Sequence, residues 1–390
     1  SSETGGNAKT QKFDNFLYDT GAHRWHHKNE EMTDEIINII GNDLKLINAP
    51  SKIFWNNKFI NFPITPISLL KALPVDLLYK AIIENIINQI KPNTGNSNFK
   101  EMAYSKYGKT LSDLFLINYS EKLWGIDCSK LMTEISGNRL KGLGFINFLK
   151  EIIMKNNFQE HLDGSFYYPK YGFGSIFNSI EKKINNESLH LNSSITSIFH
   201  NENEIKAIEI NNEIIQKTNG KVISTLPINY LIKILSPSPP EDILNIANSI
   251  KFRGVLLTII QLDKPQFSKN ASIYFPEENI PFNRIYEPKN RSSKLAPANQ
   301  TCIVVESSIN QYEMEKTDTL AFCEEIKNNL LEINLITRKE IIKSKTIQLN
   351  YAYPIMDINS KGKMDVLLGY LRKFENISFI GRNALFDYTH

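Results

Sequence analysis

The sequence predicts an α/β fold in which a helix-rich block is inserted between two β-rich regions. Apolar residues recur at helical spacing through residues 67–90 and 98–155. Short apolar runs that end at turns, at residues 221–227 and 376–382, are typical of buried strands in an α/β sheet. A further set of strand-like runs predicts an antiparallel sheet and covers residues 252–262, 271–275, 301–307 and 344–353.

The N-terminal region opens with three predicted elements. Residues 13–19 alternate as one strand that runs into Gly21–His27. Residues 30–41 predict a helix that Gly41 ends. Residues 51–60 predict a hairpin, because two β-rich runs flank Asn56 and Asn57.

The middle of the chain predicts the later strands of a nucleotide-binding α/β sheet. An aromatic loop at residues 166–175 leads into a predicted helix at 175–186. Short strands are expected at Leu189–Leu191, Ile195–Phe199 and Ile205–Ile210, and the run at 221–227 follows them. Residues 318–333 predict an amphipathic helix within the antiparallel-sheet region.

These elements predict three domains, two of which are built from more than one segment of the chain. The first contains residues 1–50, 160–227 and 375–390, the second is the helical domain at 64–158, and the third contains residues 51–63 and 228–374. Clefts between domains are common ligand sites, so we expect the functional site at such a boundary.

Composition excludes several classes of protein. The 390 residues are 41% hydrophobic and 22% charged, and the net charge of +3 demands neither nucleic acid nor an anionic membrane. Three widely separated cysteines fit a reducing cytoplasm rather than a disulfide framework. No apolar run is long enough for a transmembrane helix. The abrupt ends at Ser1 and His390 suggest that the chain is truncated at both ends.

Gly21–His27 is the segment most suited to contact a ligand, because it presents His23, Arg24, Trp25, His26 and His27 directly after a predicted strand. A metal site here is disfavoured, because no carboxylate or cysteine partner is evident in the segment.

Several motifs, in order, resemble the FAD-dependent amine oxidase and protoporphyrinogen oxidase superfamily. Glu3–Asn7, Val222–Pro227 and Phe379–Arg382 are similar to three of its flavin-domain segments. The resemblance implies an FAD-binding Rossmann-like sheet domain, incomplete here because the N-terminal Gly-x-Gly-x-x-Gly fingerprint is missing. It also implies FAD as cofactor. The residues expected to bind it are Gly5, Gly6, Asn7, His23, Gly381 and Arg382.

Within that superfamily the motifs are closest to UDP-galactopyranose mutase-like flavoproteins. Gly21-x-His23-x-x-His26, Tyr119-x-x-Lys122-x-Trp124-Gly125 and Asn283–Glu287 are similar to three mutase motifs, and Tyr351–Ile355 and Gly381–Tyr388 to two more. The resemblance implies catalytic roles for His23, Arg139 and Arg284. It implies substrate-binding roles for Tyr119, Trp124, Tyr353 and Tyr388.

Residue chemistry suits such a substrate. A nucleotide sugar carries a diphosphate, which arginine recognises through a planar fork of donors. Arg139 and Arg284 come from different predicted domains, so one diphosphate could be clamped between them. Tyrosine stacks on rings and donates a hydrogen bond, which suits a sugar or a base.

Three functions remain open from the sequence. The first is a flavoenzyme that acts on a nucleotide-linked sugar with reduced flavin as the covalent catalyst. The second is an FAD-dependent oxidoreductase that transfers hydride from its substrate to flavin. The third is a non-catalytic binding module. A small-molecule partner is expected, without nucleic acid and without a transmembrane segment, and a homodimer is left open because the sequence does not fix the oligomeric state.

Overall fold

A computed structural model describes residues 1–90, 97–136, 165–216 and 220–388, and it confirms the mixed α/β class. The strands are β1 Thr10–Phe13, β2 Phe16–Asp19, β3 Leu44–Ile47, β4 Ser51–Trp55, β5 Lys58–Phe62, β6 Phe166–Pro169, β7 Ile195–His200, β8 Ile205–Ile210, β9 Glu213–Gln216, β10 Val222–Ser224, β11 Leu235–Ser236, β12 Phe252–Leu262, β13 Ser272–Tyr274, β14 Arg284–Tyr286, β15 Thr301–Asn310, β16 Ile341–Pro354 and β17 Ile377–Phe379. The described helices, numbered here in order, are α1 Glu30–Ile40, α2 Pro66–Ala72, α3 Val75–Ile90, α4 Phe99–Tyr107, α5 Lys109–Ser112, α6 Asn118–Trp124, α7 Ser175–Glu181, α8 Ile228–Lys233, α9 Glu241–Ser249, α10 Gln311–Met314, α11 Thr319–Glu332, α12 Ser360–Leu371 and α13 Arg382–Leu385.

A seven-stranded sheet in the order β16-β12-β15-β14-β13-β4-β5 forms the largest unit. Its neighbours pair antiparallel, as the sequence predicts, except for β13 and β4, which are parallel. Every residue of β12 is buried because the sheet is covered on both faces. Ile260 and Leu262 pack with α11, while Val255 and Leu257 pack with β2.

Two strand predictions are wrong. Residues 13–19 form the end of β1, a turn and β2, since Asp14 has a φ of 52° that breaks the strand. The alternation across the turn mimicked a continuous strand. Leu189–Leu191 is not a strand, because Asn192 (φ 53°) turns the chain there and Leu191 is exposed.

The predicted nucleotide-binding strands form two small sheets. β7, β8 and β9 are antiparallel, with β11 parallel to β7, and β10 pairs in parallel with β17. Ile228, Leu231, Ala247 and Leu367 share one core with Ile198 of β7. Residues from α8, α9 and α12 therefore pack against strands that the sequence placed in the first domain, and the three-domain division stays a prediction.

Lys122 joins the helical block to the large sheet. Its ammonium donates to the carbonyls of Phe275, Glu277 and Ile280 at 2.6, 2.9 and 3.0 Å. Each of the three N–H groups of the ammonium is paired with a carbonyl oxygen, so the group is shielded from water without leaving a donor unpaired. This contact fixes α6 against the loop that follows β13.

Gly125 ends α6 in a conformation that only glycine adopts easily. Its φ is 70°, and a Cβ there would overlap the guanidinium of Arg253. Arg253 in turn donates to the carbonyls of Leu123 and Lys122, which lie at the end of the helix. Lys122 and Gly125 of the motif therefore pack α6 against the large sheet.

No helix within the described ranges is both long and apolar enough to cross a lipid bilayer.

Replacing Lys122 with Met should lower the free energy of unfolding by about 2–4 kcal/mol, because three partly buried carbonyls lose their donor. Chemical denaturation monitored by tryptophan fluorescence measures the change. Lys130→Met, at an exposed position, is the matched control. Equal stability of the two variants would show that the Lys122 contact does not join the helical block to the sheet.

Candidate functional site

Asp19, at the end of β2, is the centre of a buried hydrogen-bond network. It is 1% exposed, and its carboxylate accepts from Tyr168 Oη at 2.5 Å, Thr10 Oγ1 at 2.6 Å and the Phe173 amide at 3.0 Å. Burial raises the pKa of Asp19, and these hydrogen bonds oppose that rise by favouring the ionised form. The network holds the end of the β1–β2 hairpin against the aromatic loop.

Tyr286 of β14 links the large sheet to the same point, since its hydroxyl donates to the carbonyl of Asp19 at 2.6 Å. Arg291 lies beneath, 2% exposed, with its guanidinium 4.7 Å from the Tyr286 ring centre and 5.8 Å from that of Tyr168. Among the described residues, Nε and Nη1 of Arg291 have no hydrogen-bond partner. A buried positive charge therefore lies directly behind the histidine segment.

His23 is positioned by its neighbours in that segment. Its ring packs against Phe173 with centroids 5.3 Å apart, and a Cβ on Gly21 would lie 3.0 Å from His23 Nε2. Glycine at position 21 therefore permits the turn that brings the imidazole back over the chain.

The imidazole of His23 is held neutral. Burial, together with the nearby charges of Arg291, Arg284 and Arg382, lowers its pKa to about 3. The side chain is partly exposed, but its Nδ1 atom is buried and has no hydrogen-bond partner within the described ranges. A neutral imidazole with one unpartnered ring nitrogen is suited to a hydrogen bond with a bound group.

The three histidines do not converge on one point. His23 packs with Phe173, His26 with Phe166 and His27 with Tyr167. Across the described part of the chain, no cluster of three or more metal-ligating side chains is found.

Arg24 and Trp25 have structural partners. The guanidinium of Arg24 donates to Ser272 Oγ at 3.1 Å and lies 5.0 Å from the Phe166 ring centre. Trp25 exchanges backbone hydrogen bonds with Tyr167 and donates from Nε1 to Thr33. Both side chains therefore anchor the segment to neighbouring elements.

Arg284 forms a buried, bidentate ion pair with Glu306. Nε and Nη2 of the arginine each lie 2.8 Å from a carboxylate oxygen, across the β14–β15 register. Their side chains are 16% and 8% exposed. The pair fixes the guanidinium plane and leaves both Nη1 protons and the second Nη2 proton as donors.

Tyrosines surround this ion pair. The Tyr274 ring centre lies 6.0 Å from the Arg284 guanidinium and 5.9 Å from the Tyr119 ring centre. Arg284 also lowers the pKa of Tyr353 against the larger effect of burial, which raises it. Arg284, Tyr119, Tyr274 and Tyr353, which we call the tyrosine–arginine cluster, therefore form one electrostatically linked group.

A second aromatic group adjoins this cluster. Trp124 packs edge-on against Tyr353 and Tyr388 at 5.9 and 5.1 Å, and those two rings are 6.0 Å apart. The guanidinium of Arg382 lies 5.1 Å from the Tyr388 ring centre. Because Trp124 is only 2% exposed, it supports the two tyrosines from behind.

The two predicted cofactor turns offer open space. Gly5, Gly6 and Gly381 have φ values of 96°, 55° and 87°, and a Cβ on Gly6 or Gly381 would meet nothing within 4 Å. Asn7 is exposed, and its side chain donates to the carbonyls of Asn350 and Tyr351 at 3.3 and 3.4 Å. Backbone free of side chains at two turns is the arrangement that a closely approaching ligand requires.

Arg139 lies outside the described residues. The other predicted site residues are described, and the charges of Arg284 and Arg382 lie close enough to His23 to lower its pKa. Roles for all of them stay predictions.

Four residues of the site were missed from the sequence: Asp19, Tyr274, Arg291 and Glu306. Glu306 carries a usable signal, because it is a lone carboxylate directly after the apolar run Cys302–Val305. Asp19, a carboxylate at a strand end, carries a similar signal. Tyr274 and Arg291 carry none, since their importance arises only from pairing and burial.

The pKa of His23 gives a testable prediction for the folded protein. The folded pKa of about 3 lies below the reference value of 6.5. Between these two pH values the His23 imidazole binds a proton in the unfolded chain but not in the folded chain. NMR of histidine-labelled protein should show a neutral His23 imidazole from pH 8 down to pH ~5, with normal titration in urea. The free energy of unfolding therefore decreases as pH drops below the reference value, because the unfolded chain takes up this proton. His23→Gln should remove the part of that decrease that is due to His23. Titration of His23 near pH ~6.5 in the folded protein would contradict the burial argument.

The chain is similar to known proteins in family and in fold. The family model for flavin containing amine oxidoreductases matches residues 1–343. The structure is similar to reduced UDP-galactopyranose mutase, with a TM-score of 0.86 and 19% identity over 98% of this chain and 83% of that one. It is also similar to a putative protoporphyrinogen oxidase from Exiguobacterium sp. 255-15, with a TM-score of 0.74 and 12% identity over 97% of this chain and 86% of that one. An oxidoreductase from Methanosarcina mazei matches with a TM-score of 0.61 and 14% identity over 98% of this chain and 87% of that one.

These matches confirm the predicted superfamily, the fold and the FAD cofactor. The unpartnered Nδ1 of His23 and the open turns at Gly6 and Gly381 fit such a cofactor. The chain belongs to the flavin-containing amine oxidoreductase family and is an FAD-dependent flavoenzyme.

Proposed function

We propose that the protein acts on a nucleotide-linked sugar in the manner of UDP-galactopyranose mutase, with reduced FAD as the covalent catalyst. The observation that carries the proposal is the tyrosine–arginine cluster beside His23. Hydroxyls on rigid rings suit a sugar, and a fixed guanidinium suits a phosphate. The likeness to reduced UDP-galactopyranose mutase supports the same assignment at the level of the fold.

Arg284 is proposed to bind the diphosphate through Nη1, because Glu306 pairs with Nε and Nη2 and leaves both Nη1 protons available. The carboxylate of Glu306 offsets part of the charge of Arg284 but orients its guanidinium in advance, so little conformational entropy is lost on binding. Arg139 is proposed as the second arginine of the clamp, as the mutase resemblance implies.

The remaining proposed contacts divide between cofactor and substrate. His23 contacts the flavin, together with the turns at Gly5–Asn7 and Gly381–Arg382. Tyr119, Tyr353 and Tyr388 contact the substrate, and Trp124 holds the last two in place.

Bound and reduced, FAD supplies a nucleophile for the anomeric carbon of the sugar. The residues of the chain orient the sugar in the tyrosine–arginine cluster and neutralise the leaving diphosphate at Arg284. Because His23 is neutral, it adds no positive charge beside the cofactor.

A second candidate is an FAD-dependent oxidoreductase, like the protoporphyrinogen and amine oxidases. The Arg284–Glu306 pair is the observation that supports it, because the carboxylate of Glu306 offsets the positive charge that would otherwise repel a protonated amine. In that reaction a substrate carbon or amine gives hydride to oxidised flavin, so substrate bleaches the flavin under nitrogen.

Full-length, dithionite-reduced protein should interconvert UDP-galactopyranose and its furanose form, measured by chromatography of the products. Arg284→Lys should lower kcat/KM by about 100-fold, because a point charge does not reproduce the oriented fork. Arg338→Lys, at an exposed position, is the control.

Absence of interconversion together with absence of thermal protection by UDP would overturn the nucleotide-sugar proposal. Flavin bleaching by an amine or a porphyrinogen would then identify the second candidate.

We also propose that the protein is a homodimer in the cytoplasm. The helix α3 carries an exposed apolar stripe formed by Val75, Tyr79, Ile82, Ile86 and Ile90. Stripes of this kind mark association surfaces, and the spacing runs along one helical face.

The three cysteines are free and buried, as expected for a reducing compartment.

Ile86→Glu should convert the dimer to a monomer in size-exclusion chromatography with light scattering, because it buries a charge in the interface. Lys80→Glu changes a neighbouring exposed side chain and should leave the dimer intact. A wild-type protein that is monomeric at micromolar concentration would refute the homodimer.

A further inference from the structure

A β-bulge in β16 turns one carbonyl out of the large sheet. The register with β12 shifts between Arg253, which pairs with Tyr353, and Val255, which pairs with Leu349. Within the bulge Tyr351 has a φ of 52°, an unfavourable value for a residue with a large side chain. Backbone held in such a conformation is often found next to functional sites.

The carbonyl of Tyr351 joins the two turns that flank the predicted flavin position. Asn383 Nδ2 donates to it at 3.1 Å, and Asn7 Nδ2 approaches it at 3.4 Å. Asn7 belongs to the turn that follows Gly5 and Gly6, while Asn383 follows Gly381 and Arg382. The carbonyl of Tyr351 therefore links the turn at Asn7 to the turn at Asn383.

The same contact orients the amide of Asn383. With Nδ2 directed at Tyr351, the oxygen Oδ1 points away from that carbonyl. Oδ1 is buried and has no hydrogen-bond donor among the residues that the structure describes. A buried acceptor without a donor is costly, and it is retained where a ligand supplies the donor.

We propose that Asn383 is an FAD-binding residue whose Oδ1 accepts a hydrogen bond from an N–H or O–H group of the cofactor. The open space beside Gly381, two residues earlier, allows a ligand to approach this part of the chain. Two groups of FAD have the required chemistry, the imide N–H of the flavin ring and the hydroxyls of the ribityl chain. The proposal depends on FAD binding and is independent of the substrate.

The test uses Asn383→Leu in the full-length protein, which keeps the side-chain volume and removes the acceptor. Titration of deflavinated protein with FAD, followed by flavin fluorescence, should show binding weakened by about tenfold. The increase in melting temperature on adding FAD should shrink in parallel, while the melting temperature of the apoprotein changes little.

Asn376→Leu is the matched control. Both ends of the Asn376 amide are paired with the backbone of Ile205, at 2.9 and 3.0 Å. Its replacement should lower the melting temperature of the apoprotein and leave FAD affinity unchanged.

The midpoint potential of the bound flavin separates the two donor groups. A changed potential with weakened affinity in Asn383→Leu assigns the ring N–H, and weakened affinity at an unchanged potential assigns a ribityl hydroxyl. Wild-type FAD affinity in Asn383→Leu overturns the proposal. If Asn383→Leu fails to fold, the same titration with Asn383→Ala decides, since alanine also removes the acceptor: weakened FAD affinity supports the proposal and wild-type affinity overturns it.

Discussion

The hydrogen bonds to Asp19 hold the site in one arrangement. A buried carboxyl group requires hydrogen-bond partners, and here they are Thr10, Tyr168 and the amide of Phe173. Thr10 belongs to the N-terminal hairpin and the other two to the aromatic loop, so the hairpin and the loop cannot separate without breaking these hydrogen bonds. The carbonyl of Asp19 adds Tyr286, which brings the strand that carries Arg284 to the same place. The histidine segment begins at the next turn of the chain, and its position depends on this network.

Several charged side chains lie around that network. Arg291 lies behind the segment, packed on Tyr168 and Tyr286, while Arg284 and Arg382 contribute to the potential at His23 from other elements. The carboxylate of Glu306 offsets Arg284, and that of Asp19 partly offsets Arg291. Burial, with smaller contributions from these arginine charges, holds the imidazole neutral. A neutral ring near positively charged arginines suits a cofactor that gains negative charge on reduction and a substrate that releases a diphosphate.

Local sequence signals predicted much of the fold. The helix Glu30–Ile40 and the hairpin around Asn56 and Asn57 follow from periodicity and turn chemistry, and both occur within two residues of their predicted limits. The turn at Asp14 was missed because the residues on its two sides continue the same alternation. Short runs such as Leu189–Leu191 carry too little pattern to separate a strand from a turn.

The site was predictable only in part, for a physical reason. Motifs identified His23, Arg284 and the tyrosines as candidates, but their partners depend on long-range pairing. Glu306 faces Arg284 only because β14 and β15 pair in one register, and Arg291 is buried only because two tyrosine rings enclose it. Lys122 belongs to a motif expected to contact the substrate, yet its ammonium is used for packing, which the spacing of the motif does not reveal.

The most direct measurement is a crystal structure of the full-length, FAD-loaded protein with UDP. We expect the diphosphate within hydrogen-bond distance of Arg284 Nη1, with the Arg284–Glu306 pair intact and His23 on the flavin side. A UDP molecule bound away from the tyrosine–arginine cluster, or a flavin that does not contact His23, would contradict it.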